Sequence, residues 1–94
     1  MVSGIRVRTL IDPQKGSGLQ IDNAQPWHAS FVAISLRMAG KKYECEPIMV
    51  APFSTHTCWF SHTKQRLQGV GSVNLDAIND QGARISESYP INSQ

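Results

Sequence analysis

The chain has 94 residues, 40% of them hydrophobic and 17% charged, with a formal net charge of +2. That length builds one small core and excludes a two-lobed enzyme, and the composition excludes a disordered tail. The Lys and Arg residues are scattered, and the closest pair, Lys41-Lys42, is followed by Glu44 and Glu46. No basic stripe therefore marks a nucleic-acid partner.

No stretch approaches the ~20 apolar residues of a membrane helix. The opening, Met1-Val-Ser-Gly-Ile-Arg6, lacks an apolar run of signal-peptide length, so the expected compartment is the cytoplasm. Two cysteines, Cys45 and Cys58, are too few to read as a disulfide framework.

Residues 5–11 start with apolar/polar alternation and predict a strand, closed by Asp12-Pro13. Residues 12–18, with Pro13, Gly16 and Gly18, read as a turn or loop, and Leu19 to Ile21 as a short second strand. The stretch 26–39 reads as a helix. Asp22 and Asn23 are N-cap types, Pro26 suits a first turn, and Gly40 suits the position after the last turn. Trp27, Phe31, Ile34 and Met38 recur at helical spacing. Val32, Ile34, Leu36 and Met38 also alternate with period two, which suits a strand; the start and stop signals decide for the helix.

Residues 42–50 predict a strand in which Pro47 implies an edge position or a bulge. Residues 51–57 read as a loop, and Trp59 to Leu67 as a short helix. Residues 72–78 predict a strand, Asn79-Asp80-Gln81-Gly82 a hairpin turn, and Ala83 to Ser86 its return strand. Glu87-Ser88-Tyr89-Pro90 looks like the start of a helix that the chain end cuts off. The expected fold class is therefore α/β (α+β): a β-α-β unit followed by a β-hairpin, with a helix packed on a mixed sheet.

Two blocks carry a family resemblance. Ile34-Ser-Leu-Arg-Met-Ala-Gly-Lys-Lys-Tyr-Glu44 resembles the end of the first helix and the start of the second strand of glutathione S-transferases. Gly71-Ser-Val-Asn-Leu-Asp-Ala-Ile-Asn-Asp-Gln-Gly-Ala-Arg-Ile-Ser-Glu-Ser88 resembles the family's later strand, Asp-Gly turn and Glu-Ser motif. The resemblance spans residues 19–91. It implies a thioredoxin-like, glutathione-binding N-terminal domain over 19–94 with its third helix truncated, and an N-terminal extension or extra strand over 1–18.

The resemblance also implies a glutathione site. Glu87 and Ser88 would hold the γ-glutamyl end at a helix N-terminus, and Val73 and Asn74 would face the cysteinyl part. Asn74 stands where the family has a proline, usually cis. In the window Asn23–Ser30 the thiol-activating slot falls on Pro26, Trp27 or His28, none of them the usual Tyr, Ser or Cys; Ser30 comes a turn too late, and His28 is the substitute candidate. The expected function is a small transferase-like domain that binds glutathione or a related thiol and is not a full transferase alone. The alternative is a non-catalytic module that keeps the fold, has lost glutathione binding and dimerises. The expected partner is a second copy or a helical chain covering the truncated edge.

Cys45, His56, Cys58 and His62 have usable zinc spacings that match no standard finger, and a buried thiol with surface histidines is the preferred reading. No metal is expected. Disulfide oxidoreductase chemistry is set aside, because no Cys pair sits at the predicted helix N-terminus. Phe31 reads as core and Trp27 as partly exposed.

Overall fold

A computed structural model describes residues 4–60, 67–78 and 81–93. Among these residues there is no helix. The chain runs as β1 (Ile5–Asp12), β2 (Gly16–Asn23), β3 (Ala29–Met38), β4 (Lys41–Cys45), β5 (Ile48–Val50), β6 (Ser54–Trp59), β7 (Gly69–Ile78) and β8 (Arg84–Ser93). One sheet has the order β1-β2-β6; the other has β4-β3-β7-β8, with β5 also on β3. Every pairing is antiparallel. The two sheets face each other as a sandwich.

This corrects the expected α/β, thioredoxin-like class, and the central error is the helix over 26–39. That segment is β3, the inner strand of the larger sheet. Its register on β7 slips between Phe31 and Ala33, so Val32 is an extra residue. Ala29 and Phe31 are buried before this bulge, and Ile34, Leu36 and Met38 after it. A bulge inserts one residue into a period of two and produces a single three-residue step. Phe31-to-Ile34 is that step, and it imitates the spacing of a helix face.

The apparent caps have other uses. Ala39 and Gly40 form the two-residue turn between β3 and β4, flanked by the pair Met38↔Lys41. Both have positive φ, 54° and 76°. That is the type I′ hairpin geometry, whose twist matches the flanking strands. The segment 42–50 is two strands, β4 and β5, with Glu46-Pro47 between them where β3 bulges. The predicted loop 51–57 contains most of β6, and the expected helix start at Glu87 is the middle of β8. The helix expected over Trp59 to Leu67 falls largely on residues 61–66, outside the described residues, as do Asn79 and Asp80 of the hairpin turn. The pair Ile78↔Arg84 shows β7 and β8 joined as that hairpin.

The core lies between the sheets. Leu19 and Ile21 of β2 and Ile5 of β1 face Ile34 and Leu36 of β3 and Val73 and Leu75 of β7, with Phe60 and Leu67 closing one end. Burial of such side chains stabilises by roughly 1.5–3 kcal/mol each. The outer face of the smaller sheet is polar. Arg8 Nη2 donates to Gln20 Oε1 at 3.1 Å, Gln20 Nε2 donates to Asp22 Oδ1 at 3.1 Å, and Thr55 Oγ1 donates to the same oxygen at 2.7 Å. The Thr55 and Gln20 donors hold the Asp22 carboxyl below the usual aspartate range. Next to this ladder, Trp59 covers Gly18. A Cβ on Gly18 would stand 2.8 Å from both the Cys58 carbonyl oxygen and the indole. Lys15 Nζ lies 5.3 Å from the centre of the Trp59 ring.

At the opposite end of the sandwich one buried side chain joins four segments. Asn23 is 2% exposed. Its Nδ2 donates to the carbonyls of Trp27 at 2.9 Å, Val50 at 3.1 Å and Ala51 at 3.1 Å, and its Oδ1 accepts from Gln25 N at 3.0 Å. Beside it, Ala24 N donates to Gly4 O at 2.8 Å, and Phe53 N donates to Gln25 O at 3.2 Å. The β2–β3 and β5–β6 connections and the start of β1 are thus tied together.

Four outcomes follow. Ala39→Asn keeps the turn and relieves a left-handed alanine, so the chain gains about 1 kcal/mol in denaturant unfolding. Asn23→Ala loses about 3 kcal/mol, because buried carbonyls lose their donor. Asn23→Asp is worse at neutral pH and approaches the alanine variant below pH ~4. A buried carboxylate facing carbonyl oxygens has a raised pKa, so its penalty appears only as pH rises. Asp22 titrates with the opposite sign. Its folded pKa is depressed, so its contribution is present at neutral pH and lost as pH falls through that value; Thr55→Val reduces this acid-limb loss in pH-dependent unfolding.

Candidate functional site

The end of the sandwich pinned by Asn23 carries the most distinctive surface. Here β1 and β8 begin, β3 begins, and β7 ends. The strands β1 and β8 are the free edges of their sheets and lie side by side on one flank. Between them a cleft of ≈ 390 Å³ enters the space between the sheets. Its floor is core: Ile5 from β1, Phe31 from β3 and Ala77 from β7. Its walls are Ile85 of β8 and Trp27 of the β2–β3 connection.

The strand register explains this opening. Phe31, Ala77 and Ile85 form one row across β3, β7 and β8, all facing inward. Phe31 is buried at 2% exposure, whereas Ile85, on the edge strand, remains 38% exposed. Trp27 is 53% exposed at the lip. Phe53, on the connection that Asn23 ties to this end, is 72% exposed and has a φ of 52°. A left-handed L-residue costs roughly 1–2 kcal/mol, and here that backbone holds a phenyl ring in solvent.

The electrostatics are quiet. Arg84, at the start of β8, has its Nη2 2.7 Å from Asp76 Oδ2. The Ser86 hydroxyl first, and then Arg84, hold the Asp76 carboxyl below its usual range. Apolar walls and the exposed Trp27 ring at the lip are features of a docking surface.

Of the residues expected from sequence, four are neighbours on β7 and β8 but not on one face, and His28 lies apart from them. His28 is exposed at the lip of the cleft. Val73, Asn74, Glu87 and Ser88 lie in the middle of the larger sheet. The pairs are Asn74↔Ser88 and Leu75↔Glu87. Side chains alternate along a strand, so Val73 and Glu87 point inward while Asn74 and Ser88 point outward. The pair Asn74↔Ser88 also stands four rungs from Ile78↔Arg84, about 13 Å from the cleft end. No helix N-terminus is present at Glu87-Ser88 to receive a glutamyl carboxylate, so the expected glutathione site has no carrier in this fold.

Cys45 and Cys58 are joined in a disulfide, with Cα atoms 5.9 Å apart. This corrects the reading of the pair as free thiols and removes both from the zinc set; His62 lies outside the described residues. Among the described residues no group of three or more His, Cys, Asp or Glu is disposed to hold a metal ion. Sequence reasoning missed Asn23, Phe53 and Ile85. A signal for the first two existed: Asn23-Ala-Gln-Pro26 and Ala51-Pro-Phe-Ser54 are both turn-type clusters beside apolar runs.

Comparison with known proteins agrees with the sandwich. No curated protein matches the chain. Of solved structures, the CupB2 chaperone of Pseudomonas aeruginosa is 26% identical, with a TM-score of 0.64 over 89% of this chain and 37% of its own. The YadV chaperone is also 26% identical, with a TM-score of 0.71 over 90% of this chain and 41% of its own. The chain thus spans about two fifths of the chaperones it resembles. The family model of the pili assembly chaperone PapD, C-terminal domain, matches residues 6–89. The match overturns the glutathione S-transferase resemblance, whose two blocks are strand-turn-strand segments of an immunoglobulin-like sandwich. The chain belongs to the family of the PapD pili assembly chaperone C-terminal domain.

Proposed function

We propose that the chain acts as the C-terminal module of a pilus assembly chaperone, with the cleft end as its working surface. It is a binding module, not an enzyme. The observation that carries this is the coincidence of three features at one end: the Asn23-pinned connections, the cleft floored by core residues, and the exposed Trp27 and Phe53 rings. The chaperones similar to it extend well beyond the matched portion. The start of β1 lies at this same end, so a domain preceding it in a longer chaperone would rest against the cleft. Apolar side chains of that domain, or of a pilus subunit held between the two, would fill it. Buried aromatic anchors commonly dominate such interfaces.

The Cys45–Cys58 bond supports an oxidising compartment, where disulfides persist, in place of the expected cytoplasm.

A chimera tests this reading. The chain replaces the C-terminal domain of the YadV chaperone, and protection of a pilus subunit from proteolysis is measured. The expected result is a folded chimera that protects the subunit. Trp27→Ser with Ile85→Asp should lower protection at least tenfold, with thermal unfolding of the isolated chain changed by only a few degrees. Full protection by that double variant would remove the cleft from the proposal.

A further inference from the structure

The two flanks of the sandwich are built differently. On one, the free edges β1 and β8 lie side by side and the cleft opens between the sheets. On the other, the free edges are β4 of the larger sheet and β6 of the smaller one. No ladder joins these two edges, since β4 pairs β3 and β6 pairs β2. The Cys45–Cys58 disulfide crosses between them. Beside it, the Tyr43 and Phe60 rings meet at 5.2 Å between centroids, and Ile48 packs against the core.

The bond is placed where a solvent thiol can reach it. Neither cysteine is fully buried. Cys45 is paired with Ile34 and Cys58 with Leu19, so both sulfurs lie on the inner faces of their sheets, at the margin of the core. Cys58 lines a groove of ≈ 360 Å³ along the flank, with Glu46, His56 and Phe60. Disulfides that solvent can reach are the more readily exchanged ones. This one is half-buried at the edge of the core, beside the flank groove, and holds the outermost strands of both sheets.

We propose that Cys45–Cys58 is a thiol–disulfide exchange site that latches this flank: oxidised, it holds β4 and β5 against β6; reduced, it lets that flank open while the rest of the sandwich stays folded. The reductant is a dithiol. One of its thiolates attacks a sulfur of the pair, forming a mixed disulfide, and the other cysteine leaves as a thiolate that takes a proton from water. The second thiol of the dithiol then attacks its own sulfur in the mixed disulfide and releases the remaining cysteine. The pair gains two electrons and two protons, and the dithiol becomes a disulfide. Oxidation by a disulfide-bearing partner runs the same steps in reverse.

The loop closed by the bond is short, with a sequence separation of 13. Closing a loop of that size restricts the open flank enough to change local opening about a hundredfold. Opening would expose the ring faces of Tyr43 and Phe60, and Phe60 is 2% exposed in the closed state. The device is separate from the cleft, so it stands or falls independently of the proposed working surface.

The test is amide hydrogen exchange on the whole 94-residue chain, oxidised and then reduced with dithiothreitol. The expected result is exchange about a hundredfold faster in 41–45, 48–50 and 55–59, with the amides between β7 and β8 still protected, and recovery on adding oxidised glutathione. The double variant Cys45→Ser, Cys58→Ser should reproduce the reduced pattern without reductant. An unchanged pattern in the reduced chain or the double variant overturns the latch. So does a uniform loss of protection in either, which would make the bond a global staple.

Discussion

The cleft end depends on one side chain that has no room to move. Asn23 carries two amide hydrogens and faces three carbonyls, so its donors are fully committed, and its own carbonyl is taken by Gln25 N. In a low-dielectric site such hydrogen bonds are strong, and an unmade one is expensive. The end of β2, the β2–β3 connection and the end of β5 are therefore set by one rotamer. Trp27 lies on one of the tied connections, and Phe53 follows the other. Their exposure is a consequence of polar satisfaction beneath them.

The rest of the sandwich shows the same division of labour between edge and centre. The inner strands β2, β3 and β7 carry most of the buried side chains. The outer strands carry the features that regulate contact with the outside. On the β1 and β8 flank the row Phe31–Ala77–Ile85 runs from core to solvent without a covering strand. On the β4 and β6 flank a covalent bond and a ring pair close the gap. A small two-sheet domain has limited core to hold its edges, and an edge that is neither paired nor covered invites association. One flank is closed by chemistry; the other stays open where docking is proposed.

The pattern of β3 has two physical sources. A strand with one bulge and a helix share the spacing 27, 31, 34, 38 for different reasons. The strand reaches it by a phase slip at Val32 and the helix by rotation. Asn23, Pro26 and Gly40 are ambiguous in the same way, because the residue types that cap helices also make Asx-type and type I′ turns. The resemblance likewise assigned a ligand site to Glu87 and Ser88, whose side chains lie on opposite faces of one sheet.

What the amino-acid sequence determined by itself is local. Alternation marked β1 and most of β7, Pro47 marked an irregularity within 42–50, and the Asn-Asp-Gln-Gly run marked the hairpin into β8. These depend on contacts within a few residues, where steric preference and period carry the information. The tertiary structure alone decided which face each strand buries past the bulge, that Cys45 and Cys58 meet across two sheets, and that Asn23 is an internal pin. Each of these joins residues 10 or more positions apart or depends on which strands become neighbours. Burial, unlike propensity, is a property of the assembled sheets, so no window of the sequence contains it.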